Sequence, residues 1–393
     1  MRNMSRREFF AEGFGLLLGV GLLKNVRWSR FSKSISSPLA KSNLFIGQNG
    51  TPQELLTAAL NGFGGIQKVV KRGQKVVVKV NISFNRTPDQ AATTNPVLVE
   101  ALVKMCREAG AREVLVLDHT IDNGKMCLDS SQMEEAVKRG GGKMKVINSE
   151  RDYREVEIPQ GRVLKMALVS EDVLDADVFI NVPIAKVHNS ATTTLSMKNL
   201  MGIVWDRGEF HWKGLHQCIA DISTLVKPDL IILDAYRILM TGGPGGPGRV
   251  KDAGEVVIGI DPVAVDTYGS VLLEKDPDVV RYIQEAADRG VGLKGMENIN
   301  AMYVDAQAKE EEKEELVEEE KEEPVEAEPE EEVIEEPVEE VVESEEPVSA
   351  GEPAEEEENE AGIPAVILIP ALIVSFLIGL RMRRMKRREN TEM

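Results

Sequence analysis

Short apolar runs rich in β-branched residues alternate with amphipathic helical patterns through the middle of this chain. This alternation strongly limits the folds that the chain can adopt. The first runs predict strands at Lys75–Ile82, Glu113–Asp118 and Lys143–Ile147, with helices between them at Asn95–Ala109 and Ser130–Arg139. A β-α-β-α-β succession is joined by right-handed crossovers and therefore predicts a parallel sheet.

The alternation continues in the second half of the same region. Further strands are predicted at Asp177–Val182, Asp229–Asp234 and Glu255–Ile260, with helices at Ala191–Leu200, Leu215–Val226 and Pro262–Leu273 and a small hairpin over Val156–Val169. The predicted strands are continuously apolar rather than alternating, which is typical of a sheet covered on both faces. The sequence thus predicts an α/β fold, a mostly parallel sheet with helices on both faces, over residues 41–308.

The start of the chain carries an export pattern. Arg6 and Arg7 precede an apolar, glycine-rich stretch from Phe9 to Leu23, and a basic segment before a short apolar segment is the signature of a secretory signal. The paired arginines resemble the twin-arginine export motif. We therefore interpret residues 1–40 as a signal peptide or N-terminal anchor, and the sequence leaves open whether it is cleaved.

The overall charge of −19 comes mostly from one segment near the end of the chain. Residues 309–360 hold 28 Glu and 3 Lys with few large apolar side chains. Such a segment cannot bury enough surface to offset the entropy of ordering it. We interpret it as a disordered Glu- and Pro-rich stalk. Because the two ends of the chain are basic, residues 41–308 keep a net charge of only −3.

An uncharged run from Ile363 to Leu380 follows the acidic segment, and basic residues follow it at once. About 20 apolar residues are needed to cross a bilayer core, and positive residues remain on the cytoplasmic side. The sequence therefore predicts a transmembrane helix over residues 361–381 and a basic cytoplasmic tail over residues 382–393. It predicts a single-pass protein of the cell membrane with its body on the extracytoplasmic side.

Composition excludes two classes of protein. A nearly neutral body lacks the clustered basic face of a nucleic-acid-binding domain, so no nucleic-acid partner is expected. Three cysteines in a long chain do not make a disulfide scaffold.

Polar residues at the ends of the predicted strands are the candidates for a ligand site. In open parallel sheets ligands bind outside the carboxyl ends of the strands. That rule selects Lys79, Asn81, Lys186, His188, Lys198, Asn199, Asp234, Asp261 and Asp266. We predict Lys186 and His188 as catalytic residues and the others as ligand-binding residues.

Several separated motifs occur in an order that resembles one family. They are K-x-N at Lys79–Asn81, K-x-H at Lys186–His188, M-K-N-L-x-G at Met197–Gly202 and D-P-V-A-V-D at Asp261–Asp266, with His211 and a Gly/Pro loop between the last two. The family is the domain of unknown function numbered 362, and the resemblance covers about residues 75–275. It names no activity.

Many relatives in that family carry ferredoxin-type cysteine modules. Here Cys106, Cys127 and Cys218 are isolated, and a Cys₄ cluster cannot be built from three cysteines. An iron–sulfur cluster within this chain is therefore not expected, and the cofactor stays unknown.

Two pairs of candidates carry an expected chemistry. Lys186 and His188 alternate on an extended segment, so both side chains point the same way and could bind an anion or transfer protons. Lys198 and Asn199 lie in a Thr- and Ser-rich stretch suited to phosphate or carboxylate. For each pair an ordinary structural role remains the alternative.

His211, His216 and Cys218 lie close in sequence and are weak candidates as metal ligands, since residues two apart do not share a helix face.

The glycines at 243, 245 and 248 match the dinucleotide-binding pattern G-x-G-x-x-G in sequence only, because a strand rather than a helix follows them. A mobile loop covering the site is the preferred interpretation, and a plain connecting loop is the alternative.

Three functional classes remain at this point. The leading hypothesis is an exported, membrane-tethered α/β protein whose polar site binds a small anionic ligand or cofactor. The alternatives are a redox protein associated with iron–sulfur partner proteins and a non-catalytic binding protein of the cell surface. The sequence leaves open whether the protein is an enzyme.

Overall fold

The computed structural model describes residues 41–308 of the chain. No helix within this range is long and apolar enough to cross a membrane. The predicted signal segment, acidic stalk, transmembrane helix and basic tail all lie outside the described residues. The structure therefore does not test these four predictions.

The described region alternates strands and helices as the sequence predicts. The strands are β1 Ser42–Gln48, β2 Lys75–Lys79, β3 Glu113–Asp118, β4 Lys143–Val146, β5 Tyr153–Glu157, β6 Met166–Ser170, β7 Val178–Asn181, β8 Ile184–His188, β9 Thr192–Thr194, β10 Leu230–Leu239, β11 Val250–Gly259 and β12 Ile299–Asp305. The α-helices are α1 Pro52–Phe63, α2 Pro96–Glu108, α3 Gly124–Ser131, α4 Met133–Arg139, α5 Glu171–Leu174, α6 Ser196–Asn199, α7 Gly208–Lys213, α8 Leu215–Leu225, α9 Pro262–Leu272 and α10 Arg281–Ala287. Short 3₁₀ turns cover Ile66–Lys68, Pro88–Gln90, Glu150–Asp152, Leu200–Ile203, Pro277–Val279 and Met296–Asn298.

Ten of these strands form one mixed sheet with the order β12-β1-β11-β10-β7-β2-β3-β4, to which β8 and β9 add beside β10. The pairs from β10 through β7, β2 and β3 to β4 are parallel, as predicted. Two strands of the sheet run the other way: β11 is antiparallel to both β10 and β1, and β9 is antiparallel to β8. The predicted hairpin is also present, with β5 and β6 paired antiparallel in a separate sheet.

The sheet is covered on both faces. Val76 and Val78 of β2 belong to a cluster that includes α1 and α2, whereas Val77 belongs to a cluster with α8 and the β5–β6 hairpin. Successive residues of a strand point to opposite faces, so both faces must be apolar. This confirms the α/β fold with a mostly parallel central sheet and helices.

The end signals of α2 match the sequence. Pro96 occupies its first turn, and the Asn95 side chain accepts a hydrogen bond from the backbone N–H of Val97. Proline at this position costs nothing because its missing N–H would have no partner there. Gly110 follows the helix with φ of 88°, a conformation that favours glycine.

Two predicted helices are wrong in extent. The segment Ala191–Leu200 forms β9 and then the single turn α6, because Thr192–Thr194 pairs with β8. Three consecutive threonines favour an extended backbone over a helix. The segment Ser130–Arg139 is broken at Gln132, which has φ of 57° and separates α3 from α4.

Candidate functional site

A cavity of about 300 Å³ opens at the carboxyl ends of the central strands. It is lined by Lys79, Asn81, Ser83, Phe84, Ile121, Lys186, His188, Thr194, Lys198, Asn199, Met201, Gly202, Arg207, Gly208, His211 and Pro244. The described lining thus contains three lysines and one arginine but no carboxylate. The structure brings together six of the nine residues selected from the strand ends.

Lys79 is the cavity lysine whose charge is compensated within the protein. It ends β2 beside the end of β3, and its Nζ lies 2.7 Å from Asp118 Oδ1, with both side chains buried. Burial lowers the pKa of Lys79, while the Asp118 carboxylate acts in the opposite direction. Asp118 is held in turn by the backbone N–H groups of Ile82 and His119.

Gly202 closes over this ion pair. A Cβ at Gly202 would lie 2.6 Å from Asp118 Oδ1 and 2.6 Å from Lys79 Nζ. No side chain fits in that space without moving a buried charge. The final glycine of the Met197–Gly202 motif is therefore required by the close approach of the backbone to the pair.

A chain of asparagines sets the orientation of the polar groups beneath the cavity. Asn181 Nδ2 donates to the backbone carbonyl of Ser196, which can only accept, so its Oδ1 must accept from Asn199 Nδ2. Asn199 Oδ1 then accepts from Lys79 Nζ and from Asn81 Nδ2. This leaves Asn81 Oδ1 as an acceptor that faces Lys186.

Lys186 lies on β8 and is buried, and no ion pair joins it to a carboxylate among the described residues. Its Nζ donates to Asn81 Oδ1 at 3.0 Å and to the Ala92 carbonyl at 2.6 Å, and it lies 5.3 Å from the centre of the Phe84 ring. Burial lowers the pKa of Lys186 to about 7, and the charges of Lys198 and Lys79 act in the same direction.

His188 lines the cavity on the same side of β8 as Lys186, as the alternation predicts. Its Nδ1 accepts from the backbone N–H groups of Ser190 and Ala191 at 3.0 and 3.2 Å. An acceptor nitrogen carries no proton, so the neutral ring has its hydrogen on Nε2. Burial and the neighbouring Lys198 and Lys186 lower the pKa of His188 to about 3. At neutral pH His188 is therefore a neutral ring that can donate a hydrogen bond from Nε2.

The remaining cations face the cavity from the loops that follow β9. Lys198 on α6 has no hydrogen-bond or ion-pair partner among the described residues, and burial together with Arg207 and Lys79 lowers its pKa to about 8. Arg207 is anchored by donating to the carbonyls of His119 and Thr120. The Thr194 hydroxyl is buried and has no hydrogen-bond partner within residues 41–308.

The three predicted carboxylates do not line the cavity. Asp234 accepts from the backbone N–H groups of Asn95 and Tyr236. Asp261 caps α9 at the opposite edge of the sheet, because the antiparallel direction of β11 turns its end away from the site. Asp266 accepts from the backbone N–H groups of Ser196 and Met197 and so holds α6 from below. Their positions are structural.

The predicted metal ligands are not gathered into one site. Cys218 lies on α8 and packs in the core, whereas the ring of His216 on the same helix stacks on Tyr282. Of the three, the cavity lining contains only His211. Within residues 41–308 no group of three or more His, Cys, Asp or Glu side chains is placed to hold a metal ion. The three cysteines are separately buried, and burial raises the pKa of Cys218 and of Cys127 to about 11.

The sequence analysis missed Arg207 and Phe84, which both line the cavity. Arg207 follows no strand and belongs to no periodic pattern, so nothing in the sequence singled it out. Pro244 does line the cavity, and Arg86 Nη2 donates to the Gly246 carbonyl. The Gly/Pro loop therefore lies beside the site, as expected.

Together, the fold and this cavity define a mixed α/β protein with a basic ligand cavity at the carboxyl ends of its parallel strands. Residues 76–270 match the model of the family described as Domain of unknown function (DUF362). This match confirms the family resemblance that the motifs indicate.

Two known proteins are similar to this chain. The thylakoid-associated protein sll1697 of Synechocystis sp. is 25% identical over 252 residues, which cover 61% of this chain and 74% of that protein. Among solved structures, the lactate racemase apoprotein from Thermoanaerobacterium thermosaccharolyticum is similar over 57% of this chain and 55% of its own length, with a TM-score of 0.38 and 11% identity. A structural likeness of that size carries no functional argument.

Proposed function

We propose that the α/β body binds a small, multiply charged anion in the basic cavity. The observation that carries this proposal is the convergence of Lys79, Lys186, Lys198 and Arg207 on a space whose described lining has no carboxylate. Among the described residues, only Lys79 of these four has a carboxylate partner. Uncompensated cations repel one another in a partly buried cavity, and an anion relieves that repulsion.

The cavity also limits the size and character of the ligand. A volume of about 300 Å³ is at the lower end of the range for small-molecule sites. Phe84, Ile121 and Met201 give part of the wall an apolar surface. We therefore propose a ligand with one or two phosphate or carboxylate groups on a short carbon frame, rather than a bare inorganic ion or a nucleotide.

Isothermal titration calorimetry tests this proposal with sulfate, phosphate, malonate and a three-carbon phosphate ester as probes. Lys198→Gln removes the unpaired cation, and Lys104→Gln makes the same change at an exposed position of α2. Loss of one charge-assisted hydrogen bond weakens binding by about 10- to 100-fold. The control variant should bind as the wild type does, and equal affinity in both variants would refute the site.

We further propose that the body is exported and tethered to the membrane by the predicted C-terminal span. The charge pattern of the chain supports this, and the thylakoid association in the name of a similar protein is consistent with a membrane setting. Protease added to intact cells or spheroplasts should cut in the Glu-rich segment and release the body. A body that survives until the membrane is lysed would contradict this topology.

A further inference from the structure

The hydrogen bonds of Lys186 suggest a role beyond binding. Its two protein partners, Asn81 Oδ1 and the Ala92 carbonyl, are both acceptors. The orientation of the Asn81 amide is fixed by the chain of asparagines that begins at the Ser196 carbonyl. A neutral amine has two N–H groups and one lone pair. Both N–H groups are therefore used by the protein, and the lone pair is left for the cavity that Lys186 lines.

We propose that Lys186 is a general base that removes a proton from a carbon next to the carbonyl or carboxylate group of the bound anion. This rests on the proposed anion-binding function of the cavity. In the step, the C–H bond breaks, the proton moves to Lys186 Nζ, and the electron pair moves to the carbonyl oxygen, which becomes an enolate oxygen. Return of the proton from the ammonium to carbon completes the cycle without any further reactant.

The hydrogen bonds of Lys186 favour a role as a base over a role as a nucleophile. Protonation of the amine adds one N–H towards the cavity and keeps both bonds to Asn81 and Ala92. An imine formed at Nζ would carry at most one hydrogen, so one of the two buried acceptors would lose its donor, at the desolvation cost of an unsatisfied polar group. Proton transfer is thus the reaction that leaves the buried network intact.

The cavity also supplies groups that stabilise an enolate oxygen. His188 offers a neutral Nε2–H because Nδ1 is occupied by two backbone donors. In the part of the chain that the structure describes, the buried Thr194 hydroxyl has no hydrogen-bond partner and Lys198 has no hydrogen-bond or ion-pair partner. Donors fixed before the reaction around a developing negative charge are the largest single contribution to catalysis of this kind.

The charged groups around Lys186 allow it to cycle between its two forms near neutral pH. Asp118 from the end of β3 favours the charged form, whereas burial, Lys198 on α6 and Lys79 on β2 favour the neutral form. The carboxylate is itself 2.7 Å from Lys79 Nζ, which reduces its effect on Lys186. A base is most effective when its pKa lies near the working pH.

Deuterium exchange tests the proposal without knowledge of the net reaction. The full chain is incubated in D₂O with dihydroxyacetone phosphate, the three-carbon phosphate ester also used in calorimetry, and loss of the α-proton signal is followed by NMR. We expect exchange to rise as pD increases through the neutral range. Lys186→Met and Lys186→Arg should both reduce it by about 100-fold or more, since neither side chain accepts a proton. Lys104→Met is the matched exposed control and should exchange as the wild type does.

Four outcomes would overturn the inference, and each is distinct from failure of anion binding. Exchange that persists in Lys186→Met would place the base elsewhere. A borohydride-stable adduct on Lys186 would make it a nucleophile. If a probe binds in calorimetry but its protons do not exchange, the binding proposal stands and the proposal that Lys186 is a base fails. A ¹³Cε NMR titration of the lysines measures the pKa of Lys186 without any substrate, and the Lys186 signal is assigned by its loss in Lys186→Arg. A Lys186 side chain that remains protonated up to pH 10 would also overturn the proposal.

Discussion

The lysines of the cavity share a location but differ in their partners, and the partners set their charge. Lys79 is paired with Asp118, whereas Lys186 has two neutral acceptors and Lys198 has no partner among the described residues. A buried cation without a carboxylate is costly, so its neutral form becomes accessible. Equal residue types at one edge of the sheet can therefore hold different protonation states.

We predict that Gly202→Ala destabilises the fold and weakens anion binding. The new Cβ would overlap the Lys79–Asp118 pair, and overpacking of a tight interior costs about 1–3 kcal/mol. Urea unfolding measures the change in the free energy of unfolding. Gly208→Ala adds the same methyl group at the exposed start of α7 and is a control for stability alone, because Gly208 also lines the cavity. A Gly202→Ala protein as stable as that control would contradict the proposed close packing.

The pH dependence of stability should report Lys186 directly. Its pKa is lowered from 10.5 to about 7 in the folded protein, so between these values the unfolded chain binds a proton that the folded chain lacks. Unfolding then takes up a proton, and the free energy of unfolding of the ligand-free protein rises with pH in this window, by up to about 1.4 kcal/mol per pH unit for one group. Lys198, whose pKa is lowered to about 8, adds to the rise with the same sign.

Urea titrations between pH 7 and 10 test this expectation through slopes rather than absolute stabilities. Lys186→Met should have a shallower rise than the wild type, whereas Lys104→Met should keep the slope of the wild type. Parallel curves for all three proteins would show that Lys186 remains charged in the folded state.

At the scale of elements, the segment from β8 to α6 carries most of the site. Strand β9 returns antiparallel beside β8, so Thr194 comes to lie opposite Lys186. Helix α6 then presents Lys198 and Asn199. Such a short helix is not stable alone. It is held by Asp266 of α9, whose oxygens accept from the backbone N–H groups of Ser196 and Met197.

We predict that Asp266→Asn loosens α6 and thereby weakens anion binding. An asparagine keeps the shape of the side chain, but its amide would direct N–H groups at one of the two backbone donors. A buried polar group left unsatisfied costs about 1–3 kcal/mol. Calorimetry and urea unfolding measure both effects. Asp129→Asn on the exposed face of α3 should change neither, and unchanged anion affinity in Asp266→Asn would show that α6 is positioned by other contacts.

At the scale of the whole molecule, the two ends of the described region close the sheet together. Strand β1 pairs in parallel with β12 from Ser42 opposite Ile299 to Gln48 opposite Asp305, and it also pairs antiparallel with β11. These pairings join residues about 260 positions apart in the chain without using any residue outside 41–308. The region therefore contains the partners of its own terminal strands.

A fragment of residues 41–308 should therefore fold by itself and bind the same anions as the full chain. We expect one cooperative thermal transition and affinities within about twofold of the full chain, since domains with a complete core fold independently. Removal of residues 299–308 provides the contrast, because it exposes β1 and should abolish the cooperative transition. An insoluble 41–308 fragment would contradict this view of the body.

The sequence by itself determined the strand–helix alternation, both apolar faces of the sheet and the set of lysines and asparagines at the strand ends. These follow from local periodicity and from the rule that parallel strands end at one edge. The direction of β11 could not be read in this way, since a buried apolar strand has the same pattern in either direction. That is why Asp261 was placed at the wrong edge of the sheet.

Only the tertiary structure decided what each polar residue does. Asp234 lies within β10 and Asp266 lies on α9, and both carboxylates hold backbone N–H groups, because the α2 and α6 segments come to lie over them. Arg207 enters the cavity from a loop, and Lys186 is separated from every carboxylate among the described residues that could neutralise it. Protonation state depends on distances and burial between residues far apart in sequence, and no local pattern encodes those distances.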